Sequence, residues 1–235
     1  MSPTKPAGTA RDRLLAAANE LFYEEGVHTV GIDRVIERAG VAKASLYSTF
    51  GSKEELVRAY LLQRAHQRQQ QISVRIANYD EPEQRILAIF DLMGEITAEP
   101  KYRGCAFINA SAEGRRDGGS KVSQVCLDSR GWVRGLFVEL SRDLGVDEPE
   151  ELGRQLVMLY DGAAVAASME RDREAAELAK ACATILIAAQ ARATRPGKSA
   201  RPAKRRTSAV AAPRGRRENR RGRANWRGSS RTIRE

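Results

Sequence analysis

The sequence predicts an all-α chain, a short helix-turn-helix head followed by a longer helical body, and three observations carry that prediction. Between Gly26 and Leu56, two short helical patterns meet at a tight turn around Gly40. Downstream, apolar residues recur at three- and four-residue spacing through several long stretches. No stretch alternates apolar and polar residues as a half-buried strand does. With 235 residues, the chain has room for such a head and one medium helical body.

The first helix is expected from about Ala10 to Glu25. Thr9 is placed to cap it, Asp12 stands three residues on, and Leu14, Leu15, Ala18, Leu21 and Phe22 share one face. In the next pattern Ile32, Val35, Ile36 and Ala39 share a face. Gly40 can take the positive φ that ends a helix, and Val41, Leu46 and Phe50 restart an apolar stripe. The helix over about Ala42 to Phe50 turns Lys43, Ala44, Ser45, Tyr47 and Ser48 away from that stripe. These side chains are small or polar enough to enter a major groove, so double-stranded DNA is the expected partner. Tyr47 has a competing role in the core, and both can hold because tyrosine carries an apolar body and a polar tip.

Ser52 with Glu55 reads as a capping box opening a long helix through Leu56, Val57, Tyr60 and Leu61. Lys53 lies in its first turn, where free amides and the helix dipole favour a phosphate. The polar run His66 to Gln71 cannot be core and reads as a solvated connector face. Asp80-Glu81-Pro82-Glu83 supplies a cap, a first-turn proline and a capping-box acid for a helix carrying Ile86, Leu87, Phe90 and Met93. In the stretch Arg103 to Gly114, a helix would put Cys105, Asn109 and Glu113 on one stripe. Arg115 to Gly119 reads as a turn, and a helix is expected from about Ser120 to Leu144, with Gly131 and Gly135 beside Trp132. Pro149, flanked by Asp147 and Glu150, starts the next, and Asp172 opens the last, which carries Leu178, Ala181, Ile185, Leu186 and Ala189. Both final helices have wide, Ala-rich apolar faces suited to close packing, and a pair from each of two chains would form a four-helix bundle.

At the Gly40-Val41 turn, Leu46-Tyr47-x-x-Phe50 and Ser52-Lys53-Glu54-Glu55-Leu56, the chain resembles the N-terminal domain of the TetR family of bacterial transcriptional regulators. The resemblance covers about fifty residues. It implies a homodimer joined through the last two helices, a palindromic operator, and a small inducer bound in the body of a repressor. Two positions depart from the family pattern: Gly31 and Ala42 stand where a capping hydroxyl is common, each an omission of about 1 kcal/mol. On this reading Lys43 and Ser45 lie nearest base edges, while Tyr47 and Lys53 hold phosphates. The Cys105, Asn109 and Glu113 spacing is similar to that of a pocket-bordering helix in some family members. Phe90, Met93, Trp132 and Phe137, with Cys105 and Asn109, would line a pocket for a small hydrophobic or aromatic inducer. Core packing is the competing role for the aromatic residues, and bonding to helix ends for Asn109.

The formal net charge of +10 is unevenly spread. Residues 195–235 hold fifteen Lys and Arg against two Glu, leaving 25 basic against 28 acidic residues in the rest. The expected domains are a disordered 1–8, a head at 9–55, a body at 56–194 and a basic disordered tail at 195–235. An alternative reading makes that tail, with Trp226 among arginines, the driver of general nucleic-acid binding. No stretch resembles an export signal or a membrane span, and a cytoplasmic protein is expected. Cys105, Cys126 and Cys182 have neither metal-ligand spacing nor an even count, so no metal site, cofactor or disulfide framework is expected. An enzyme reading finds no base beside Cys105 and no phosphate loop, which argues against catalysis.

Overall fold

The computed structural model describes residues 8–113 and 120–193, which among them form nine helices and no strand. The expected disordered start, the turn at Arg115 to Gly119 and the basic tail fall largely or wholly outside the described residues. Helices α1 (Ala10–Glu25), α2 (Ile32–Ala39) and α3 (Lys43–Phe50) make the head. Helix α4 (Lys53–Ile76) leads into α5 (Pro82–Ala98), α6 (Ala106–Glu113), α7 (Lys121–Asp143), α8 (Pro149–Met169) and α9 (Ala175–Ala193). None of the described helices is long and apolar enough to cross a membrane.

The helix ends follow local chemistry. The Thr9 hydroxyl accepts from the Asp12 amide at 3.2 Å, and the Asp12 carboxylate accepts from the Thr9 amide at 3.0 Å, closing a capping box. Gly40 adopts φ 60° and ψ 45°; its amide donates to Glu37 and that of Val41 donates to Ile36. That pair of bonds is a Schellman ending, which consumes two carbonyls the helix would leave open. Helices α2 and α3 start at Gly31 and Ala42 with no side-chain cap, as those residue types dictate.

Several expected caps take a different form. Ser52 accepts from the Glu55 amide at 3.1 Å, but the Glu55 carboxylate turns to Lys121 and Arg58 instead of completing a box. At α5 the cap position is Glu81, not Asp80, and makes no side-chain bond; Pro82 at the first helical position has no amide to satisfy. The same device opens α8, with Glu148 before Pro149. Asp172 bonds the Glu174 amide at 2.8 Å, three residues ahead of α9, so it shapes the approach and not the helix start.

Two apolar cores result. One lies among α5, α7, α8 and α9, with Phe90, Phe137, Leu152 and Leu156 each at most 1% exposed. The other begins in the head with Leu14, Val35 and Leu46. It runs on without a break through Leu56, Val57, Tyr60 and Leu61 of α4, Phe107 and Ala110 of α6, and Val125 and Cys126 of α7. The expected boundary between residues 55 and 56 falls inside the first turn of α4, and the first turns of that helix are part of the head's core.

Candidate functional site

Helix α3 is held by few residues. Leu46 is fully buried, Val41 and Phe50 are half-buried, and the Arg11 guanidinium lies 5.6 Å from the centre of the Phe50 ring. Burying one leucine contributes roughly 1.5–3 kcal/mol, so this eight-residue helix depends on its neighbours. Arg34 grips Glu25 with two bonds of 2.5 and 2.8 Å, and Arg38 pairs similarly with Glu20, bracing α2 on α1. Arg13 donates to the Gly40 carbonyl at 3.1 Å and so fixes the turn itself.

The outer face of α3 is therefore free to act. Lys43, Ala44, Tyr47 and Ser48 are exposed, Tyr47 to 47%. Ser45 is half-buried, and its carbonyl accepts from the hydroxyls of Ser48 at 3.2 Å and Thr49 at 2.6 Å. Thr49 is exposed on this face and is not among the residues the sequence placed there; its position after the Tyr47-Ser48 pair is the signal that would have included it. The Lys43 ammonium is 3.0 Å from Asp33 across the turn, and that hydrogen bond and charge hold its pKa above the usual lysine value. Both partners are well exposed, so a DNA phosphate can compete for the lysine. Lys53 is half-buried, and that burial pulls its pKa down against the attraction of Glu113.

The residues expected to line an inducer pocket divide. Phe90 and Phe137 stack at 5.8 Å between centroids, and Tyr160 meets both edge-on, at 6.4 and 6.1 Å. Met93 belongs to the same buried cluster, and Trp132 and Cys105 are half-buried against it. Asn109 lies apart, donating to the Arg103 carbonyl at 2.9 Å and lining a cavity of about 230 Å³ with Tyr23 and Glu113. The stripe expected on α6 thus spreads: Cys105 precedes the helix, and Glu113 points into the head.

That last contact joins head and body. The Glu113 carboxylate accepts from the His28 amide at 2.9 Å, and Gly26 passes so close that a Cβ there would meet it at 2.8 Å. The Tyr23 hydroxyl donates to the Gly104 carbonyl at 3.1 Å and accepts from the Arg103 amide at 3.0 Å. Tyr23 is also stacked under the Arg64 guanidinium at 3.8 Å, and Arg64 donates to Asn19 at 2.9 Å. Burial raises the pKa of Tyr60, behind this junction, to about 12.

Comparison with known proteins agrees with this geometry. The family model described as "Bacterial regulatory proteins, tetR family" matches residues 14–60, the head and the first turns of α4. The crystal structure of SCO4454, a TetR-family transcriptional regulator from Streptomyces coelicolor, is 34% identical, with a TM-score of 0.73 over 77% of this chain and 95% of that one. The chain belongs to the TetR family of transcriptional regulators. An uncharacterised regulator of Mycobacterium tuberculosis, Rv1255c, is 36% identical over 78 residues, 33% of this chain and 39% of that protein. The Mycolicibacterium smegmatis transcriptional activator FasR is 46% identical over 56 residues, 24% of this chain and 26% of its own length. The chain thus matches well under half the length of these curated relatives. TetR-family membership makes the chain a transcriptional regulator and not an enzyme.

Proposed function

We propose that the chain is a homodimeric, ligand-responsive repressor whose two α3 helices enter successive major grooves of a palindromic operator. The observation that carries this reading is the outer face of α3, where Lys43, Ala44, Tyr47 and Ser48 stand exposed on a helix fixed from behind by Leu46. Lys43 reaches base edges or phosphates after leaving Asp33, Tyr47 and Lys53 hold phosphates, and Ser45 acts through its place under Ser48 and Thr49. The relatives' names include an activator, so the head alone does not fix the sign of regulation. Repression follows from occupancy of an operator that a ligand clears.

Titration of the operator with Lys43→Ala and Tyr47→Phe is the direct test. Removing a bond to a phosphate should weaken binding to all sequences alike, whereas removing a bond to a base edge should cost roughly 1–3 kcal/mol at one base pair and relax specificity there. Affinities unchanged from the parent in both variants would remove α3 from the mechanism. In transcription assays the parent should lower output from the operator promoter, and stimulation instead would make it an activator.

The dimer reading is supported by an apolar stripe that the chain's own core does not use. On α9, Ala175, Ala176, Ala179, Ala183 and Ile187 face the core, while Leu178, Ala181, Ile185 and Ala189 stand exposed on the other side. On α8, Met158, Gly162 and Met169 are exposed likewise. Leu178 and Ile185 are 65% and 68% exposed, an arrangement suited to a second copy of the same two helices. Ile185→Asp should shift the sedimentation profile from dimer to monomer while leaving the helical circular dichroism in place. A dimer of undiminished strength would put the interface elsewhere.

The inducer proposed from the sequence, a small hydrophobic or aromatic compound, finds Phe90 and Phe137 packed against each other and against Tyr160. A ligand there must therefore open the Phe90, Phe137 and Tyr160 cluster, and would act only through contacts that differ between the open and closed arrangements.

A further inference from the structure

We infer that the cavity between head and body binds a small organic oxyanion, its charged end held by Arg64 and Arg68 and its apolar portion lying against Tyr23, Tyr102 and Phe107. The inference deepens the ligand-responsive reading above and rests on it for its regulatory consequence. The cavity measures about 660 Å³, within the range that takes a drug-sized ligand. Its walls come from α1, α4, the end of α5 with the loop after it, and α6.

Three observations point to an anion. First, Arg64 and Arg68 stand one turn apart on α4, where like charges repel, yet among the described residues neither enters an ion pair. Arg64 has Asn19 and the face of Tyr23; Arg68 donates to the Tyr160 hydroxyl. Two half-buried guanidinium groups whose acceptors are all neutral retain unmet charge, and a guanidinium fork matches a carboxylate or phosphate with paired bonds. Second, the wall carboxylates do not neutralise the arginines: Glu20 is taken by Arg38, and Glu24 and Glu99, whose charge an anion must avoid, pair with neither. Third, the polar run His66 to Gln71, read from the sequence as a solvated connector face, turns Gln67, Gln70 and Gln71 onto this cavity beside Arg68. Their amides add neutral donors around the charged pair. Burial raises the pKa of Tyr102 and Tyr160, so both phenols stay neutral beside the arginines.

The position gives the site leverage. An anion that draws Arg64 toward Arg68 competes with the Asn19 bond and the Tyr23 stack, two of the contacts that seat α1 of the head on α4. Differential binding to the unseated arrangement is what a releasing ligand requires.

The test uses the full chain and three probes: 4-phenylbutyrate, phenyl phosphate and the uncharged 4-phenylbutanamide. One or both anions should raise the melting temperature, shift the side-chain Nε–H resonances of Arg64 and Arg68, and weaken operator binding, while the amide does none of these. Preference for the phosphate over the carboxylate would identify the head group as a phosphoryl and leave the site standing. Arg68→Gln should weaken anion binding by at least about tenfold, and Arg68→Lys should restore little of it, since lysine lacks the fork. Arg130→Gln, which removes an exposed pairing with Asp161 on the body, should leave anion binding unchanged. The site is refuted if the amide binds as well as the anions, if Arg68→Gln binds them like the parent, or if neither anion moves the two resonances at about 10 mM, a concentration that would reveal even a millimolar Kd. Should Arg68→Gln not fold, the resonances of the parent decide. Operator titration of the same samples without probe keeps the two readings separate: intact operator recognition with no anion binding sinks this site alone.

Discussion

Phe137→Ala should destabilise the body by about 3–5 kcal/mol, the largest loss expected of any single side chain here. Phe137 is fully buried at the meeting of α5, α7 and α8, and its ring packs on Phe90 and Tyr160 at centroid distances of 5.8 and 6.1 Å. Behind it, the buried Ser141 hydroxyl donates to the Phe137 carbonyl at 2.7 Å, which ties the backbone in place and limits how far it can move to fill the space. Truncation therefore removes both the transfer free energy of the ring and the contacts of the rings left behind. Urea unfolding at one fixed protein concentration should show a lower midpoint with an unchanged slope. A loss below about 1 kcal/mol would mean that the cluster collapses onto the gap, and would make it a more deformable region than its packing implies.

Gly26→Ala is expected to act on both stability and operator affinity. Gly26 has φ 96° and ψ 151°, a region that side chains other than glycine enter at a cost of about 1–3 kcal/mol. An added Cβ would also stand 2.8 and 2.9 Å from the two Glu113 carboxylate oxygens. The carboxylate must then leave the His28 amide, a bond contributing on the order of 1 kcal/mol. Glu113→Ala alone should show only the latter loss. The double variant should be less destabilised than the sum of the singles, because the steric clash is gone while the backbone strain remains. Strict additivity in thermal unfolding would show that the two residues do not meet. Since Glu113 is a tie between α6 and the head, operator affinity should fall in both single variants by a similar factor.

Much of this architecture could be read from residue types. The helix-turn-helix was legible because its signals are local: a glycine where the backbone turns left-handed, a leucine and an aromatic at helical spacing, and a serine at a helix start. The long body helices were legible for the same reason, through periodicity alone. Caps at α5 and α8 were harder to place, because Asp80 and Asp147 look suited to a position that falls instead to Glu81 and Glu148, directly before a proline at the first helical position. What the sequence left open were the pairings between distant segments. Nothing local marks Arg64 as stacked on Tyr23, or Glu113 as the acceptor for His28, since those contacts join residues far apart in the chain. For the same reason, the sequence leaves Phe90 and Phe137 open to a pocket wall or to a core, with core packing the commoner fate of such side chains. Periodicity reports which face of a helix is apolar, and is silent on whether ligand or protein meets that face.

The unbroken core under the head has a practical corollary for building hybrid regulators. Joining this head to a different body at residue 55, where the motifs suggest a seam, would separate Leu14, Val35 and Leu46 from Leu56, Val57, Tyr60 and Leu61 of α4 and from the Phe107, Ala110 and Val125 that continue the same core. The transplanted head would arrive with an apolar underside cut to fit a helix it no longer meets. A hybrid that carries the first turns of α4, with α6 and the first turns of α7, along with the head keeps that surface covered, so the exchangeable module in this chain is discontinuous in sequence.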